Sequence, residues 1–404
     1  MAQAVFILIF LVVLGHVWIN YLKHTGLKEK DINFLHGLLW YHLILAIAYF
    51  VYVQFNRSDS YTYYSTTASY EYGYNWMSYY GVSTTFIKFL AYPLIRMLGL
   101  SYEACMAIFA MIGFAGFVFF FRFLREQIKI PVKIFGMDAI YFLLLLPNTH
   151  FWTSSLGKGS VIFFGVALLF YALSYIKKRY IALFIAGLTI YHIRPHIFYV
   201  FLIALSVGYA FSSKRISLVP RLIIISLAIT LLILIYNDIL QFTGLEDESM
   251  LDPFISHRAS ELTKAGSGID ITNYNLAQKL FAFLFRPLFF DSPGLMGLIV
   301  SFENLIYLIL CLEFFRLSAF KYLIQADPIT KTAILAFAAV SLALAQISGN
   351  LGLAIRQKSQ VMLLFLFVIV KLKEERVLEQ LKHVYMRRAA LSRLKRMEMK
   401  QQNS

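Results

Sequence analysis

Apolar residues along this chain fall into runs separated by short polar gaps, and the run lengths predict membrane helices. A helix needs about 20 apolar residues to cross a bilayer, fewer where it is short or broken. Eleven candidate spans follow: Ala2–Tyr21, Phe34–Val53, Tyr102–Phe121, Met137–Pro147, Val161–Ile176, Ile181–Ile193, His196–Phe211, Leu222–Leu240, Pro293–Phe315, Thr330–Ser348 and Val361–Leu372. The run Phe6–Ile19 has no basic segment before it and no small-residue cleavage pattern after it, so it reads as a span and not as a signal peptide. No internal repeat, low-complexity tract or separable soluble domain is visible. The expected organisation is a polytopic membrane domain over residues 1–372, followed by a basic tail over 373–404.

Composition agrees. Hydrophobic residues make up 59% of the 404 and charged residues 15%, more apolar and less charged than a soluble domain can bury. Mean hydropathy is +0.67. The formal charge of +15 would suggest nucleic acid in a soluble protein. Here the cations lie in alternate gaps, which is the signature of membrane topology, and no nucleic acid is expected. The basic gaps hold Lys23, Lys28 and Lys30; Arg122, Arg125, Lys129 and Lys133; Lys177, Lys178 and Arg179; Lys214, Arg215 and Arg221; and Arg316 and Lys321. The tail from Lys371 carries ten Lys or Arg and four Glu, a net of +6. These gaps are expected to be cytoplasmic, with the N-terminus outside and the C-terminus inside. Cys105 and Cys311 both lie in apolar segments, so no disulfide framework or zinc site is implied.

The opposite gaps, at 54–101, 148–160, 241–292 and 349–360 and the Arg194–Pro195 corner, have a different character. Met137–Pro147 and Ile181–Ile193 stop at prolines, and Thr84–Leu100 is broken by Lys88, Pro93 and Arg96. That stretch reads as a re-entrant or interfacial helix. Irregular backbone at membrane depth is tolerated where protein buries it or where it lines a wet cavity, so an outward-opening chamber is expected.

Asp59 directly follows a span, where a carboxylate can face such a chamber; a solvated loop acid or helix cap is the plainer reading. Eight tyrosines and Trp76 lie between Tyr61 and Tyr80. An interfacial belt and a sugar-contacting platform both account for them. The sugar reading takes Tyr61, Tyr63, Tyr64, Trp76, His150, Trp152, His196 and Asn350. The Gly157-Lys158-Gly159-Ser160 stretch lacks the upstream glycine of a nucleotide-binding loop, and His192 with His196 lacks the pattern of a zinc site. Acids early in the large gap, Glu246, Asp247, Glu248 and Asp252, offer oxygen ligands to a divalent cation, but without EF-hand spacing a solvated face is preferred. No other cofactor is implied. Glu303 and Asn304 sit inside an apolar run, where pairing within the bundle is at least as good a reading as catalysis.

Lys158, Arg194, Arg286, Arg356 and Lys358 all lie on the side where topology disfavours cations. Each alone has a plain explanation. Together they read as a pocket for a polyanion, most simply a diphosphate, since arginine forks match phosphate oxygens.

Three short motifs carry a family resemblance. Ser58-Asp59-Ser60-Tyr61-Thr62-Tyr63-Tyr64 resembles the first outer loop of bacterial membrane glycosyltransferases of the GT-C type and the Asp-x-x-x-Tyr stretch of EpsG-type polysaccharide polymerases. Leu146-Pro147-Asn148-Thr149-His150-Phe151-Trp152-Thr153-Ser154-Ser155-Leu156-Gly157-Lys158 resembles a Pro-x-x-x-Phe-Trp-x-Ser-x-x-x-Lys run of that group. Asn350-Leu351-Gly352 with Arg356 is similar to its late outer-loop motif. The resemblance implies an all-α, GT-C-like membrane fold in the bacterial cytoplasmic membrane. It implies a transferase or polymerase that uses a polyprenyl-phosphate or -diphosphate sugar on the outer face, in company with other polysaccharide-assembly proteins. Asp59 would orient or deprotonate the acceptor, and Lys158, Arg194 and Arg356 would hold the lipid phosphate. Glu71 and Asp291 are alternative bases. No second acid stands beside Asp59, which argues against a metal-dependent mechanism.

Two readings from other classes compete. Broken helices and intramembrane charge also suit a transporter or flippase for a lipid-linked or anionic substrate, although no inverted repeat is visible. A scaffold subunit that docks a partner or anionic lipid through its tail is the third.

Overall fold

A computed structural model describes residues 2–56, 58–211, 217, 219, 221–223, 225–226, 229–230, 271, 273–292, 294–347 and 350–402, without the side chains of 347, 360 and 387–402. The expected span Leu222–Leu240 and the acids Glu246, Asp247, Glu248 and Asp252 therefore fall largely or wholly outside the described residues.

The apolar runs fold as helices. In chain order they are α1 (Ala2–Tyr21), α2 (Glu29–Phe55), α3 (Asp59–Ala68), α4 (Thr84–Tyr92), α5 (Tyr102–Gln127), α6 (Ala139–Leu144), α7 (Pro147–Trp152), α8 (Lys158–Leu173), α9 (Tyr180–Ile193) and α10 (Pro195–Ala210). After the large gap come α11 (Leu276–Phe285), α12 (Gly294–Cys311), α13 (Leu317–Gln325), α14 (Pro328–Ile347) and α15 (Leu351–Gln402). Among the described residues the extended structure is one hairpin, β1 (Lys133–Ile134) against β2 (Met137–Asp138), turned by Phe135 and Gly136, both at positive φ.

Five helices are long and apolar enough to cross a membrane: α1 with its 3-10 extension to Thr25, α2, α5, α12 with its extension to Phe315, and α14. Helix α15 adds a sixth if its two parts, Leu351–Ser359 and Val361–Met386, count as one span bent by 55°. The chain is an all-α, multi-pass membrane protein. Helix length alone does not reproduce eleven spans. Met137–Pro147 departs furthest, because Asp138 closes the hairpin and accepts from Ile140 N to start α6, and Pro147 then starts α7. The six residues of α6 rise only about 9 Å, far short of a bilayer. Thr84–Leu100 becomes the nine-residue α4 followed by a π-turn at Pro93–Met97.

Burial separates the inner helices from those facing lipid. Ten consecutive residues of α15, Val361 to Val370, are buried, the mark of a helix surrounded on all sides. Helix α1, by contrast, leaves Phe6, Val13 and Val17 more than half exposed, surface that a bilayer covers. Helix α5 packs on α8 and on the loop after α7 through Gly113 and Gly116, small residues that let backbones approach. A Cβ on Gly113 would lie 2.0 Å from the Thr153 carbonyl oxygen, which cannot move without shifting the loop. Gly113→Ala is therefore expected to cost about 1–3 kcal/mol through overpacking. It should appear as a lower melting temperature in detergent, and an unchanged melt would contradict this packing.

One end of the bundle is clamped by ion pairs. Arg125 bridges Asp31 (2.7 Å) and Asp138 (3.1 Å), Arg179 forks onto both oxygens of Glu126 (2.7 Å each), and Glu374 accepts from Ile130 N (2.9 Å) and pairs with Lys371 (2.6 Å). The candidate chemistry lies at the other end.

Candidate functional site

Helices α8 and α9 form a hairpin through the basic turn Ile176–Lys178, so Lys158 at the start of α8 and Arg194 at the end of α9 share one end of the bundle. Sixteen residues of α8 rise about 24 Å, less than the hydrocarbon thickness of about 30 Å. Arg194 leaves the helix because Pro195 follows it; a residue before proline avoids the helical region, and Arg194 has φ −148° and ψ 82°. Pro195 then starts α10, a position where its missing N–H costs nothing.

The other side of the site comes from the ends of α2, α7 and α15. Ser58 caps α3 by accepting from Ser60 N (3.2 Å), and its hydroxyl also meets Tyr49 of α2 (3.0 Å). This anchors Asp59 at the first helical position of α3. Asn350 caps the last helix by accepting from Leu353 N (2.9 Å), and Arg356 follows on the same short segment. Arg356 Nη1 donates to Asp59 Oδ2 at 2.8 Å.

Two chambers meet at that ion pair. The first, about 520 Å³, is walled mainly by apolar side chains: Leu45, Ala48 and Tyr52 of α2, Phe151 and Trp152 of α7, and Met296, Ile299 and Val300 of α12. Glu303, Asn148 and Asn350 supply polar atoms along its lining. The second, about 350 Å³, is lined by Lys158, Arg194, Arg356 and His196 with Asp59, Tyr63 and Ser83. Tyr49, Asp59, Trp152, Leu353 and Arg356 belong to both.

The second chamber therefore holds three cationic side chains and one carboxylate. Among the described residues no carboxylate lies within 4 Å of Lys158 or Arg194. Lys158 Nζ donates to Ser83 Oγ (2.9 Å). Ser83 has a positive φ of 63°, unusual for a residue with a side chain, and its N–H donates to His192 O (2.6 Å). Backbone held in such a region needs its surroundings to enforce it and tends to occur where function requires it. Burial pushes the Tyr63 phenol up to about 12, so near neutral pH it remains a hydrogen-bond donor. Among the described residues no group of three or more His, Cys, Asp or Glu comes together as metal ligands.

The chambers gather Asp59, Lys158, Arg194, Arg356, Tyr63, Trp152, His196 and Asn350 from the residues singled out in the sequence. Others have different company. Arg286 pairs with Asp291 and donates to Tyr274 Oη (3.2 Å), so its fork is occupied away from the chambers. Lys358 is fully buried, and its ammonium donates to Asn304 Oδ1 (2.5 Å), Arg286 O (3.0 Å) and Leu284 O (3.3 Å). Neither Arg286 nor Lys358 lines either chamber. His150 is buried against Phe117, with its ring nitrogens on Leu144 O (2.6 Å) and His42 Nδ1 (2.9 Å). Trp76 stacks on Phe89 and donates to its carbonyl (2.8 Å); Tyr64 donates to Leu100 O (3.2 Å); Tyr61 is exposed, edge-on to Tyr102. These rings stabilise the 54–101 segment and do not line either chamber. Of the alternative bases, Glu71 pairs with Lys88 (3.3 Å) and Asp291 with Arg286.

Three contributors were not assigned to the site from sequence. Ser83 and Tyr49 carry no local signal, since their roles depend on contacts 75 and 9 residues away. Glu303 carried one, as an acid within an apolar run; it is buried and accepts from Asn148 N (2.9 Å) and Tyr307 Oη. Comparisons with family models, with curated proteins and with solved structures return no match for this chain.

Proposed function

We propose that this protein is a membrane glycosyltransferase or polysaccharide polymerase that takes sugar units from a polyprenyl-(di)phosphate donor on the outer face of the bacterial cytoplasmic membrane. The observation that carries this reading is the junction of an apolar chamber and a cationic one at a carboxylate. A lipid-linked sugar has the matching parts. Its chain suits the apolar chamber, whose walls include two helices of membrane length and the exposed side chains of Met296 and Ile299. Its phosphates suit Lys158, Arg194 and Arg356, which lack enough carboxylates to balance them. The tail and the basic gaps then face the cytoplasm, in line with the positive-inside rule.

In this mechanism the acceptor hydroxyl attacks the sugar carbon bonded to the lipid phosphate. The new carbon–oxygen bond forms as the bond to the phosphate oxygen breaks, and its electron pair leaves with the lipid phosphate. Asp59 receives the hydroxyl proton as general base. The cations stabilise the charge growing on the phosphate, and the chamber walls hold the reactants in line.

Transport is the second reading, favoured by the buried Glu303 and Lys358 on membrane helices and by the 55° bend at the start of α15. One experiment separates them. Lipid-linked oligosaccharide and surface polymer are measured in cells carrying wild type, Asp59→Asn and Arg194→Ala at matched protein levels. The transferase reading expects lipid-linked units to accumulate on the outer leaflet while polymer disappears. Accumulation on the inner leaflet supports transport of the lipid-linked unit, and an unchanged pool and polymer contradict a role in polysaccharide assembly.

A further inference from the structure

The Asp59–Arg356 contact sits at the one place where a carboxylate would have to be free to accept a proton. In this pairing it is not free: Arg356 Nη1 lies 2.8 Å from Asp59 Oδ2. The same two residues line both chambers. With Tyr49, Trp152 and Leu353, which also line both, they form the boundary between the space suited to a lipid chain and the space suited to its phosphates.

The ion pair at this boundary is weakly held. The side chains of Asp59 and Arg356 are 56% and 36% exposed. An ion pair so open to solvent contributes little, because water competes for both charges. The buried clamps at the opposite end are of another kind, for example Asp31 under Arg125, with the Asp31 side chain only 5% exposed. A diphosphate is a better partner for Arg356 than a single carboxylate, since it carries more charge and more acceptor oxygens. It would also be held by Lys158 and Arg194 in the same chamber.

We infer that the Asp59–Arg356 ion pair is a substrate-released latch. A diphosphate group entering the cationic chamber takes over Arg356, which joins the two chambers and frees the Asp59 carboxylate only when substrate is present. This deepens the proposed function and rests on its reading of the second chamber as an anion site. The latch couples the two halves of the reaction: Asp59 Oδ2 becomes available to the acceptor hydroxyl when the leaving group is bound. The anchoring of Asp59 through Ser58 and Tyr49 keeps its backbone fixed, so release requires a side-chain rotation and no larger movement.

The test is a binding cycle on the full-length protein in nanodiscs, with inorganic pyrophosphate and farnesyl diphosphate as probes. Wild type, Asp59→Asn, Arg356→Ala, the double variant and Arg194→Ala are compared, each checked for an unchanged melting temperature. The latch predicts that Asp59→Asn binds pyrophosphate about two- to fivefold tighter than wild type, the range expected from releasing an exposed ion pair. In the Arg356→Ala background the same substitution should gain much less, because no contact remains to break. Equal gains in both backgrounds would mean that Asp59 acts through distant charge alone, and would overturn the latch. So would unchanged or weaker binding by Asp59→Asn while Arg194→Ala still loses affinity. If wild type binds neither probe and Arg194→Ala changes nothing, the anion site itself is refuted, and the latch with it. Tighter binding of farnesyl diphosphate than of pyrophosphate assigns the latch to a lipid substrate; equal binding, with the cycle intact, assigns it to free diphosphate.

Discussion

Arg194→Ala is expected to lower sugar transfer from a lipid diphosphate by about 10²–10³-fold in kcat/KM while leaving the protein folded. The size is that of removing one preorganised group from a developing anionic charge. The fold should survive because, among the described residues, no carboxylate within 4 Å depends on Arg194; its removal strands no buried acid. Its backbone is held separately, by its own N–H on Ile190 O (2.8 Å) and by Pro195 behind it. Arg194→Lys should recover part of the loss, since it restores a positive charge but not the planar fork. Kinetics on purified variants with matched melting temperatures decide this. A loss below about threefold would remove Arg194 from the reaction and leave the second chamber without its central cation.

The second large effect falls on Lys358, and it is structural. Its ammonium is the donor for Asn304 Oδ1, Arg286 O and Leu284 O, all at the join between α11, α12 and α15. Lys358→Met keeps much of the volume and removes every donor. A buried acceptor left without a partner costs about 1–3 kcal/mol, so three together should cost at least about 3 kcal/mol. The substitution should sharply reduce the melting temperature and the yield of monodisperse protein, at all substrate concentrations. A protein that melts like wild type but no longer binds a diphosphate would reverse the assignment and return Lys358 to the phosphate site.

This contrast marks how far the sequence can be read. The cations on the topologically disfavoured side were all visible, but a one-dimensional pattern does not say which of them already have partners. Arg286 is matched by Asp291 only five residues on, a pairing open to inspection in hindsight. Lys358 is satisfied by carbonyls and an amide 54 to 74 residues away, which no local motif encodes. Lys158 and Arg194, on the other hand, were legible as neighbours: two short apolar runs joined by Lys177, Lys178 and Arg179 must return to the same side, and Pro195 marks the corner.

The fold divides in the same way. Ala2–Tyr21 has the bounds its apolar run predicts, and Tyr102 opens α5 as expected. Met137–Pro147 misled because apolar content was counted without weighing Asp138 and the Phe135-Gly136 turn, whose local hydrogen bonds favour a hairpin and a helix cap. The tyrosines of 61–80 illustrate a different limit. Their number suggested either a belt or a sugar platform; Tyr63 lines the cationic chamber, whereas Tyr64 and Trp76 spend their polar atoms on nearby carbonyls.

The most direct measurement uses purified protein in proteoliposomes with a polyprenyl-diphosphate oligosaccharide supplied from outside. The account predicts a lengthened or transferred glycan and an equal amount of released polyprenyl diphosphate, both absent with Asp59→Asn. Passage of the intact lipid-linked oligosaccharide to the inner leaflet, with no glycosidic bond made and no lipid diphosphate released, would contradict it and establish transport instead.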